Sequence, residues 1–391
     1  MVDKHAVLGA SSADRWLNCP PSVMLTESMP DTAGEAAAEG TLAHSIGELK
    51  LRKHYTLMGP RQFSTALKKL QADPLYTKEM DRATDEYFDT VKEIALGFSV
   101  LPYVALEQRV DFSQWVPDGF GTADCIVIGD EVLHVIDFKY GKGVQVDAED
   151  NPQMRLYAIG AYRRYFLTHV IRRVRMSIFQ PRNGGLSHAE EILVGDLLKW
   201  AEDFVAPRAT LAAEGKGEFA PGDWCQFCKA KATCRARSDH NLALEGFQKA
   251  LPPLLTDDEV GDALRRAQDL AKWAKALEDY ALSACLAGKE IPGWKAVNGR
   301  SNAAFSPDFD TCAKILIEAG HDRPLLYREV PETLTNIDTV VGGRKKLKEL
   351  LGSHLINPPG KPTLALNTDK RPAITDRPTA EVDFGNKEKE N

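Results

Sequence analysis

Residues 121–139 read GTADCIVIGDEVLHVIDFK, and this stretch decides the fold. It contains two apolar segments rich in β-branched residues, 125–128 and 132–136, which are typical of paired strands. Between the two segments lies Gly129-Asp130, a pair that suits a two-residue turn. We therefore predict an antiparallel hairpin that turns at these two residues.

The predicted hairpin brings charged residues together at its open end. With that turn, Asp124 faces Val135, and Asp137 lies diagonally across from Asp124 on the same sheet face. Because side chains alternate along a strand, Lys139 joins this face as well. Two carboxylates and an ammonium then converge, although a three-residue turn would break this parity. The alternative is that all three are solvated strand ends.

Composition favours an ordinary soluble globular protein, since 43% of the 391 residues are hydrophobic and 27% are charged. The length allows two or three domains, or one large domain with appendages. A net charge of -7 argues against coating nucleic acid through the overall field, but it leaves room for a local basic groove. Two basic groups are candidates for such a groove or for solvated surface: Arg163, Arg164, Arg172, Arg173 and Arg175, and Lys229, Lys231, Arg235 and Arg237.

Targeting and motor signals are not found in the sequence. The first residues do not show the pattern of a signal peptide, in which a positively charged segment precedes an apolar one. No apolar run approaches the roughly 20 residues that span a bilayer. We expect a cytoplasmic protein without membrane contact. There is no G-x-x-x-x-G-K-[ST] loop, so an ATP-driven motor is not built in.

Two elements before the hairpin offer further ligands. Residues 34–55 have helical spacing of apolar positions and carry His44. Gly40 lies one turn before His44 and costs about 1 kcal/mol against Ala in a helix, which suggests close approach of a backbone or a phosphate. A strand is predicted at 103–111, where Glu107 either adds a third carboxylate to the site or faces outward.

A helix is predicted after the hairpin, at residues 151–167. Gln153 and Tyr157 are four residues apart on it and therefore share one face. An amide and a phenol placed in this way can hold a phosphate or a base. A strand at 170–180 and a helix at 194–213 complete an α/β block.

The cysteines form the second notable pattern. The chain has seven, too few and too unevenly spaced for a secreted disulfide scaffold. Cys225, Cys228 and Cys234 follow a C-x2-C-x5-C spacing, which gives three thiolates, one short of a tetrahedral set. Cys19 can be the fourth and would tie the first helix to the end of the domain. Zinc is one candidate for these ligands, and buried, unpaired cysteines are the alternative.

The pattern of the carboxyl-terminal third of the sequence indicates that it forms separate units. One long helix or a broken pair covers 254–287, and a strand near 295–297 precedes helices at 311–319 and 344–351. The end of the chain is rich in proline and charge. The predicted segments are a domain at 1–245 that contains both sites, a helical connector at 246–290, a small domain at 291–357 and a mostly extended or disordered tail at 358–391.

In their order along the chain, these pieces resemble the RecB-like branch of the PD-(D/E)XK nucleases. The matching motifs are Gly40-x-x-x-His44, Gly121-x-x-Asp124, Asp137-x-Lys139 and Gln153-x-x-x-Tyr157. One cysteine before these motifs and three after them are similar to the iron-sulfur nucleases of this branch, which include the AddB nuclease domain and RecB-like nucleases of CRISPR adaptation modules. The resemblance covers about residues 10–240.

The resemblance implies an α/β fold with a mixed central sheet flanked by helices, an iron-sulfur staple and a small α+β carboxyl-terminal extension. It implies that Lys139 positions or activates the attacking water and that Gln153 and Tyr157 orient DNA. The residues implied as ligands of Mg²⁺ or Mn²⁺ are His44, Asp124, Asp137 and the backbone carbonyl of Phe138. The residues implied as ligands of a [4Fe-4S] cluster are Cys19, Cys225, Cys228 and Cys234, for which Zn²⁺ is the alternative.

The carboxyl-terminal segments 292–295 and 369–374 are similar to a bacteriophage and prophage family, and the CRISPR-associated proteins lack such an extension. Our leading hypothesis is a phage or prophage DNA nuclease, an exonuclease on single strands or ends. Its partners would be DNA and phage recombination or replication proteins. The alternatives are a non-catalytic DNA-binding subunit of a recombination complex and a zinc-stapled interaction module.

Overall fold

The chain divides into two compact units, residues 1–297 and 298–391. The computed structural model describes residues 6–30, 35–142, 145–187, 189–242 and 257–297, together with parts of 309–355. The predicted tail at 358–391 and the first part of the predicted connector, 246–256, lie outside the described residues. The predicted domain boundaries stay a prediction.

Helices occupy the chain before the first strand. They are α1 Ala13–Asn18, α2 Ser22–Glu27, α3 Glu35–Tyr55, α4 Pro60–Gln71 and α5 Lys78–Leu96. A short 3-10 turn, Ala10–Ser12, leads into α1. Helix α3 confirms the helix predicted at 34–55 and carries His44 in its middle.

A mixed sheet forms the centre of the first unit. Its strands are β1 Tyr103–Asp111, β2 Phe120–Gly129, β3 Val132–Phe138, β4 Arg173–Gln180, β5 Gly185–Leu186 and β6 Glu190–Leu193. The order is β1-β2-β3-β4-β5, and β6 also pairs with β4. Only β3 and β4 run parallel among the described strands, because α6, Pro152–Tyr165, connects them as a crossover.

Apolar side chains cover both faces of this sheet. On one face, Ile126, Leu133 and Val135 pack in a core that includes residues of α6. On the other face, Cys125, Val127 and Ile136 pack in a core that includes residues of α3 and α5. The sheet is therefore the middle of three layers, which confirms the α/β class with helices on both sides.

The hairpin turn lies one residue later than predicted. Gly129 pairs with Val132, so the two turn residues are Asp130 and Glu131 rather than Gly129 and Asp130. Both turn residues have positive φ, 48° and 60°, as a type I′ turn requires. The turn still contains two residues, so the face on which each side chain lies is unchanged.

Helices follow the sheet. They are α7 Val194–Trp200, a π-helical segment Ala201–Val205, α8 Ala206–Ala213, a 3-10 turn Asp223–Phe227, α9 Arg235–Leu242 and α10 Asp257–Leu286. Helix α10 is one long helix and belongs to the first unit. The predicted strand at 295–297 is wrong, since these residues have no strand structure and only an isolated bridge joins Ile291 to Trp294.

The described residues of the second unit are helical. They include α11 Phe309–Glu318, α12 Arg323–Leu326 and α13 Arg344–Leu351, and no strand lies among the described part of this unit. The helices predicted at 311–319 and 344–351 are thus confirmed. Across the described residues of the chain, no helix combines the length and the apolar composition that crossing a bilayer requires.

Candidate metal centre

Three adjacent strands bring carboxylates to one position in the sheet. Cys125 of β2 pairs with Leu106 of β1 and with Ile136 of β3. Continuing both registers by one residue places Asp124 opposite Glu107 on one side and opposite Asp137 on the other. The sequence predicted a diagonal relation between the two aspartates, and the later turn makes them direct neighbours across the hairpin.

Glu107 has an unusual backbone conformation. Its φ of 48° lies in the left-handed region, which is uncommon for a residue other than glycine. The pairs on either side of it, Leu106 with Cys125 and Gln108 with Ala123, keep one register, so the ladder is interrupted only at Glu107. Such strain is characteristic of functional positions, and it accompanies a carboxylate directed toward Asp124.

His44, Glu107 and Asp124 form the group best placed to hold a metal ion. Each offers one ligand atom, and these atoms all lie within 4.8 Å of one another. Nδ1 of His44 is 3.4 Å from Oδ1 of Asp124. The other oxygen of Asp124 accepts a hydrogen bond of 2.7 Å from the backbone N–H of Phe138, which fixes the carboxylate. Helix α3 and strands β1 and β2 thus meet at one candidate centre.

Asp137 and Lys139 lie beside this group. Nζ of Lys139 is 3.0 Å from Oδ2 of Asp137, whose side chain is 3% exposed. The ammonium of Lys139 is the charged partner of this buried carboxylate, which would be costly to bury without one.

A chain of polar contacts leads from Lys139 to α6. Nζ of Lys139 donates to Oε1 of Gln153 at 3.4 Å, and Nε2 of Gln153 donates to Oη of Tyr157 at 3.1 Å. The helix begins at a fixed point, because the side chain of Asn151 accepts a hydrogen bond from the backbone N–H of Met154. The predicted Gln/Tyr face therefore lies against the candidate site.

Electrostatic coupling is strong within the group. Burial by itself would lower the pKa of His44, but the neighbouring carboxylate of Asp124 raises it to about 9. Burial raises the pKa of Glu107 to about 8, and the charges of Asp124 and Glu48 add to this effect. Like-charged carboxylates in a dry site favour a proton on one of them, and a divalent cation can replace that proton.

The pKa values of Asp137 and Asp124 shift in opposite directions. Burial raises the pKa of Asp137, and the charge of Asp124 adds to this, while Lys139 opposes both. Burial acts in the same direction on Asp124, but the charge and the hydrogen bond of His44 outweigh it and lower the pKa of that carboxyl. For Lys139, burial disfavours the charged form, yet the two aspartates raise its pKa and keep it an ammonium.

Glycines at two other positions, rather than Gly40, allow close packing around the site. A Cβ at Gly40 would have nothing within 4 Å, so no backbone of the described residues approaches this glycine, and the approach of a phosphate stays a prediction. A Cβ at Gly121 would lie 2.6 Å from Cε1 of Tyr157, and one at Gly47 would lie 3.2 Å from Cδ1 of Tyr87. Tyr87 in turn stacks on Phe138, with ring centroids 4.6 Å apart.

The first basic group does not line the centre. Arg173 and Arg175 lie at the start of β4, whereas Asp137 pairs near the end of that strand. Both arginines bind Glu191, at 2.9 Å and 2.5 Å. The solvated alternative is therefore the better description of these two arginines, since they lie at the far end of the sheet and share Glu191 as an ion-pair partner.

The four cysteines of the predicted cluster line one cavity. Cys19, Cys225, Cys228 and Cys234 border it together with Arg15, Trp224 and Arg237. All four are free thiols, and three of them are buried. Arg237, which the sequence placed in a basic group, is 2% exposed and not a solvated surface residue. Its position three residues after Cys234, on the same helical face, is the signal that could have revealed this.

This architecture defines an α/β protein with a candidate metal centre on its mixed central sheet and a cysteine-lined cavity beside its first helices. The chain belongs to the family described as "Protein of unknown function (DUF2800)", which matches residues 5–372.

Solved structures that resemble the chain include two exonucleases. One is a putative exonuclease from Eubacterium rectale, with 11% identity and a TM-score of 0.33, covering 64% of this chain and 90% of that one. Another is an alkaline exonuclease, LHK-Exo, from Laribacter hongkongensis, with 15% identity and a TM-score of 0.24, covering 44% of this chain and 92% of that one.

Proposed function

We propose that this protein is a metal-dependent nuclease that hydrolyses phosphodiester bonds of DNA. The observation that carries the proposal is that one ligand atom each of His44, Glu107 and Asp124 lies within 4.8 Å of the others. The buried carboxylate of Asp137 and the ammonium of Lys139, which are 3.0 Å apart, lie beside this group. An acidic group of this kind, with one lysine, suits cation-assisted hydrolysis of an anionic substrate.

The residues present fit a hard divalent cation. Carboxylate oxygens of Glu107 and Asp124 are ligands that Mg²⁺ and Mn²⁺ prefer, and the imidazole of His44 shifts the preference toward Mn²⁺. Asp137, which lies beside this group, is proposed as a further ligand. The predicted carbonyl of Phe138 would add a neutral oxygen to this set. When bound, the cation supplies charge neutralisation at the phosphate and a water of lowered pKa.

Lys139 is proposed to act on the attacking water. Its pKa is raised by the adjacent aspartates, so it carries a positive charge at neutral pH and donates rather than accepts protons. From this position it can orient the water by hydrogen bonding and stabilise the charge that develops on the phosphoryl oxygens. Asp137, at 3.0 Å, holds the ammonium in place.

Gln153 and Tyr157 are proposed to position the DNA strand. They follow Lys139 in one hydrogen-bonded chain, and Tyr157 is 7% exposed. Tyr157 remains a neutral hydrogen-bond donor, because burial raises its pKa above the usual value. Its hydroxyl can therefore donate to a phosphate oxygen without adding negative charge. Action on single strands or DNA ends, in phage DNA recombination, repair or processing, is the mode that the resemblance to RecB-like nucleases favours.

Cleavage of end-labelled DNA tests this proposal. Single- and double-stranded DNA labelled at the 5′ or the 3′ end is incubated with the full chain and either Mg²⁺ or Mn²⁺. We expect metal-dependent release of short products, and we expect Asp137→Asn to abolish it while DNA binding by fluorescence anisotropy persists. The matched control is Asp89→Asn, an exposed aspartate on α5. Wild-type-level cleavage by Asp137→Asn would show that the site is misassigned.

The four cysteines are proposed to hold a [4Fe-4S] cluster that staples the first helices to the segment after α8. The support is that Cys19 lines the same cavity as three cysteines more than 200 positions away in the chain. Four thiolates in one cavity suit either iron-sulfur or zinc ligation. Iron and acid-labile sulfide in anaerobically purified protein would support the cluster, whereas zinc without either would replace it with a zinc staple.

A further inference from the structure

Arg237 is a buried cation beside the cysteine cavity. It lies on α9, which begins immediately after Cys234, and its side chain is 2% exposed. Fully buried arginines are rare unless their charge and their donors find partners. Arg237 also lines the cavity that the four cysteines border, so its surroundings include the thiols themselves.

The donors of Arg237 are only partly used. Its Nη2 donates to Oδ1 of Asp269 at 3.0 Å, and its Nη1 donates to the carbonyl of Lys231 at 3.5 Å. Its Nε is buried and has no hydrogen-bond partner among the described residues. A buried donor without an acceptor costs about 1–3 kcal/mol or more, which points to an acceptor beyond the residues that the structure describes, such as a group bound in the cavity.

Charge in the cavity favours the same conclusion. Four thiolates in one cavity repel one another, so neighbouring cations are needed to keep them deprotonated. Arg15 and Arg237 are two cations that border this cavity. The Nη1 of Arg15, however, already donates to Ser22 and Thr26.

We propose that Arg237 is a positioning residue for the metal group held by the four cysteines, and that its Nε donates a hydrogen bond to a sulfur atom of that group. This inference rests on the cysteine site proposed above and adds a residue to it. The guanidinium offsets part of the negative charge of the thiolates, and the hydrogen bond orients one sulfur. Groups outside the ligand set commonly tune metal sites in this way.

Arg237 also links the cysteine site to α10. Asp269, its partner, lies on α10, and Nε1 of Trp273 on the same helix donates to the carbonyl of Ala232 at 3.3 Å. Trp273 is 7% exposed, so this face of α10 is packed on the cysteine segment.

Metal retention tests the inference. The full chain is purified anaerobically, its metal and sulfide are measured, and metal release to a chelator is followed by the loss of visible absorption or, for zinc, with a chromophoric chelator. We expect Arg237→Gln to release the metal about 10- to 100-fold faster than wild type. If the metal is an iron-sulfur cluster, we also expect a more negative reduction potential, because a hydrogen bond to sulfur is lost. The metal-release rate of Arg237→Lys, which keeps the charge, should lie between the rates of wild type and Arg237→Gln.

Two matched variants separate this role from a purely structural one. Arg235→Gln changes an exposed arginine of the same helix and should release metal like wild type. Asp269→Asn keeps a side-chain oxygen that can accept from Nη2 of Arg237 and leaves Nε in the cavity, so its release rate should stay within about threefold of wild type. Equal release by Asp269→Asn and Arg237→Gln, or wild-type release by Arg237→Gln and Arg237→Lys, would overturn the inference. Wild-type protein without metal at the cysteines would overturn the cysteine site as well, whereas DNA cleavage tests the carboxylate centre separately.

Discussion

The two ends of β3 each hold a buried ionisable side chain, and they differ in the charges that surround it. His134, near the start of the strand, is 3% exposed, and Asp137, near its end, is 2% exposed. His134 shares a hydrogen bond of 2.9 Å with Ser177 on the neighbouring strand. Asp137 instead has Lys139 at 3.0 Å and lies opposite Asp124 across the hairpin.

Burial acts on both side chains, but with different outcomes. It lowers the pKa of His134 to about 3, with a contribution from the charge of Arg175, so this histidine is neutral at physiological pH. At the other end of the strand, Asp137 is surrounded by charged groups that burial alone cannot neutralise. Burial of an ionisable group is therefore compatible with a plain structural role, and convergence of several charges is what distinguishes the candidate site.

The comparison is tested most directly by replacing one cation at each end. Lys139→Met should reduce DNA cleavage on the order of 10³-fold, because the lysine stabilises charge that develops during the reaction. Arg175→Met should stay within about threefold of wild type, since it removes only a partly exposed ion pair with Glu191. The measurement is the initial rate on end-labelled DNA. Similar losses in both variants would mean that the two ends do not differ in function.

Replacing two glycines near the candidate metal centre with alanine should change the free energy of unfolding in opposite directions. Gly121→Ala should lower the free energy of unfolding by about 1–3 kcal/mol, because the new Cβ would lie 2.6 Å from Cε1 of Tyr157. Gly40→Ala should raise it by about 0.5–1 kcal/mol, since the helix has open space at that position. Urea denaturation of the metal-free chain measures both. Destabilisation by Gly40→Ala would restore a packing role for that glycine.

His134, near the start of β3, should make the stability of the folded protein sensitive to acid. Its folded pKa, about 3, is below its ordinary value of 6.5, so only the unfolded chain takes up a proton as the pH falls below 6.5. The stabilising contribution is complete above pH 6.5 and is lost as the pH falls toward 3. By about pH 5 the loss should be about 2 kcal/mol. His134→Gln should remove this part of the pH dependence in denaturant melts, whereas His54→Gln, at an exposed histidine, should keep it.

The smallest effect is expected from two tyrosine hydroxyls on α6. Tyr157→Phe removes the partner of Gln153 and should weaken DNA binding by about 0.5–1.5 kcal/mol, seen as a higher KM with little change in kcat. Tyr165→Phe removes a similar hydrogen bond to Gln108, two turns further along the helix, and should leave KM unchanged. A kcat effect from Tyr157→Phe would move that tyrosine from DNA positioning to the chemical step.

Much of the fold could be predicted because its signals are local. The β-branched segments of the hairpin and the apolar spacing of α3 and α6 depend on neighbouring residues, and all of these elements form where expected. The convergence of Asp137 with Lys139 was also predictable, because residues two apart on a strand share a face.

The position of the turn could not be predicted from the hairpin alone. Both carboxylate oxygens of Asp130 accept hydrogen bonds from Ser99, one from its backbone N–H and one from its hydroxyl. Phe98 packs so closely on Gly129 that a Cβ there would lie 2.7 Å from its ring. A segment about 30 residues earlier in the chain thus holds the turn, and its contacts are invisible to a local pattern.

The sequence by itself determined the strands, the helices and the residue types that a metal centre and a cysteine site require, because these follow from short-range spacing. Only the tertiary structure decided which of those residues meet. It placed Glu107 opposite Asp124 through a left-handed backbone conformation, and it buried Arg237 between the cysteines and α10. Both outcomes depend on contacts between distant segments, whose packing and desolvation no local pattern encodes.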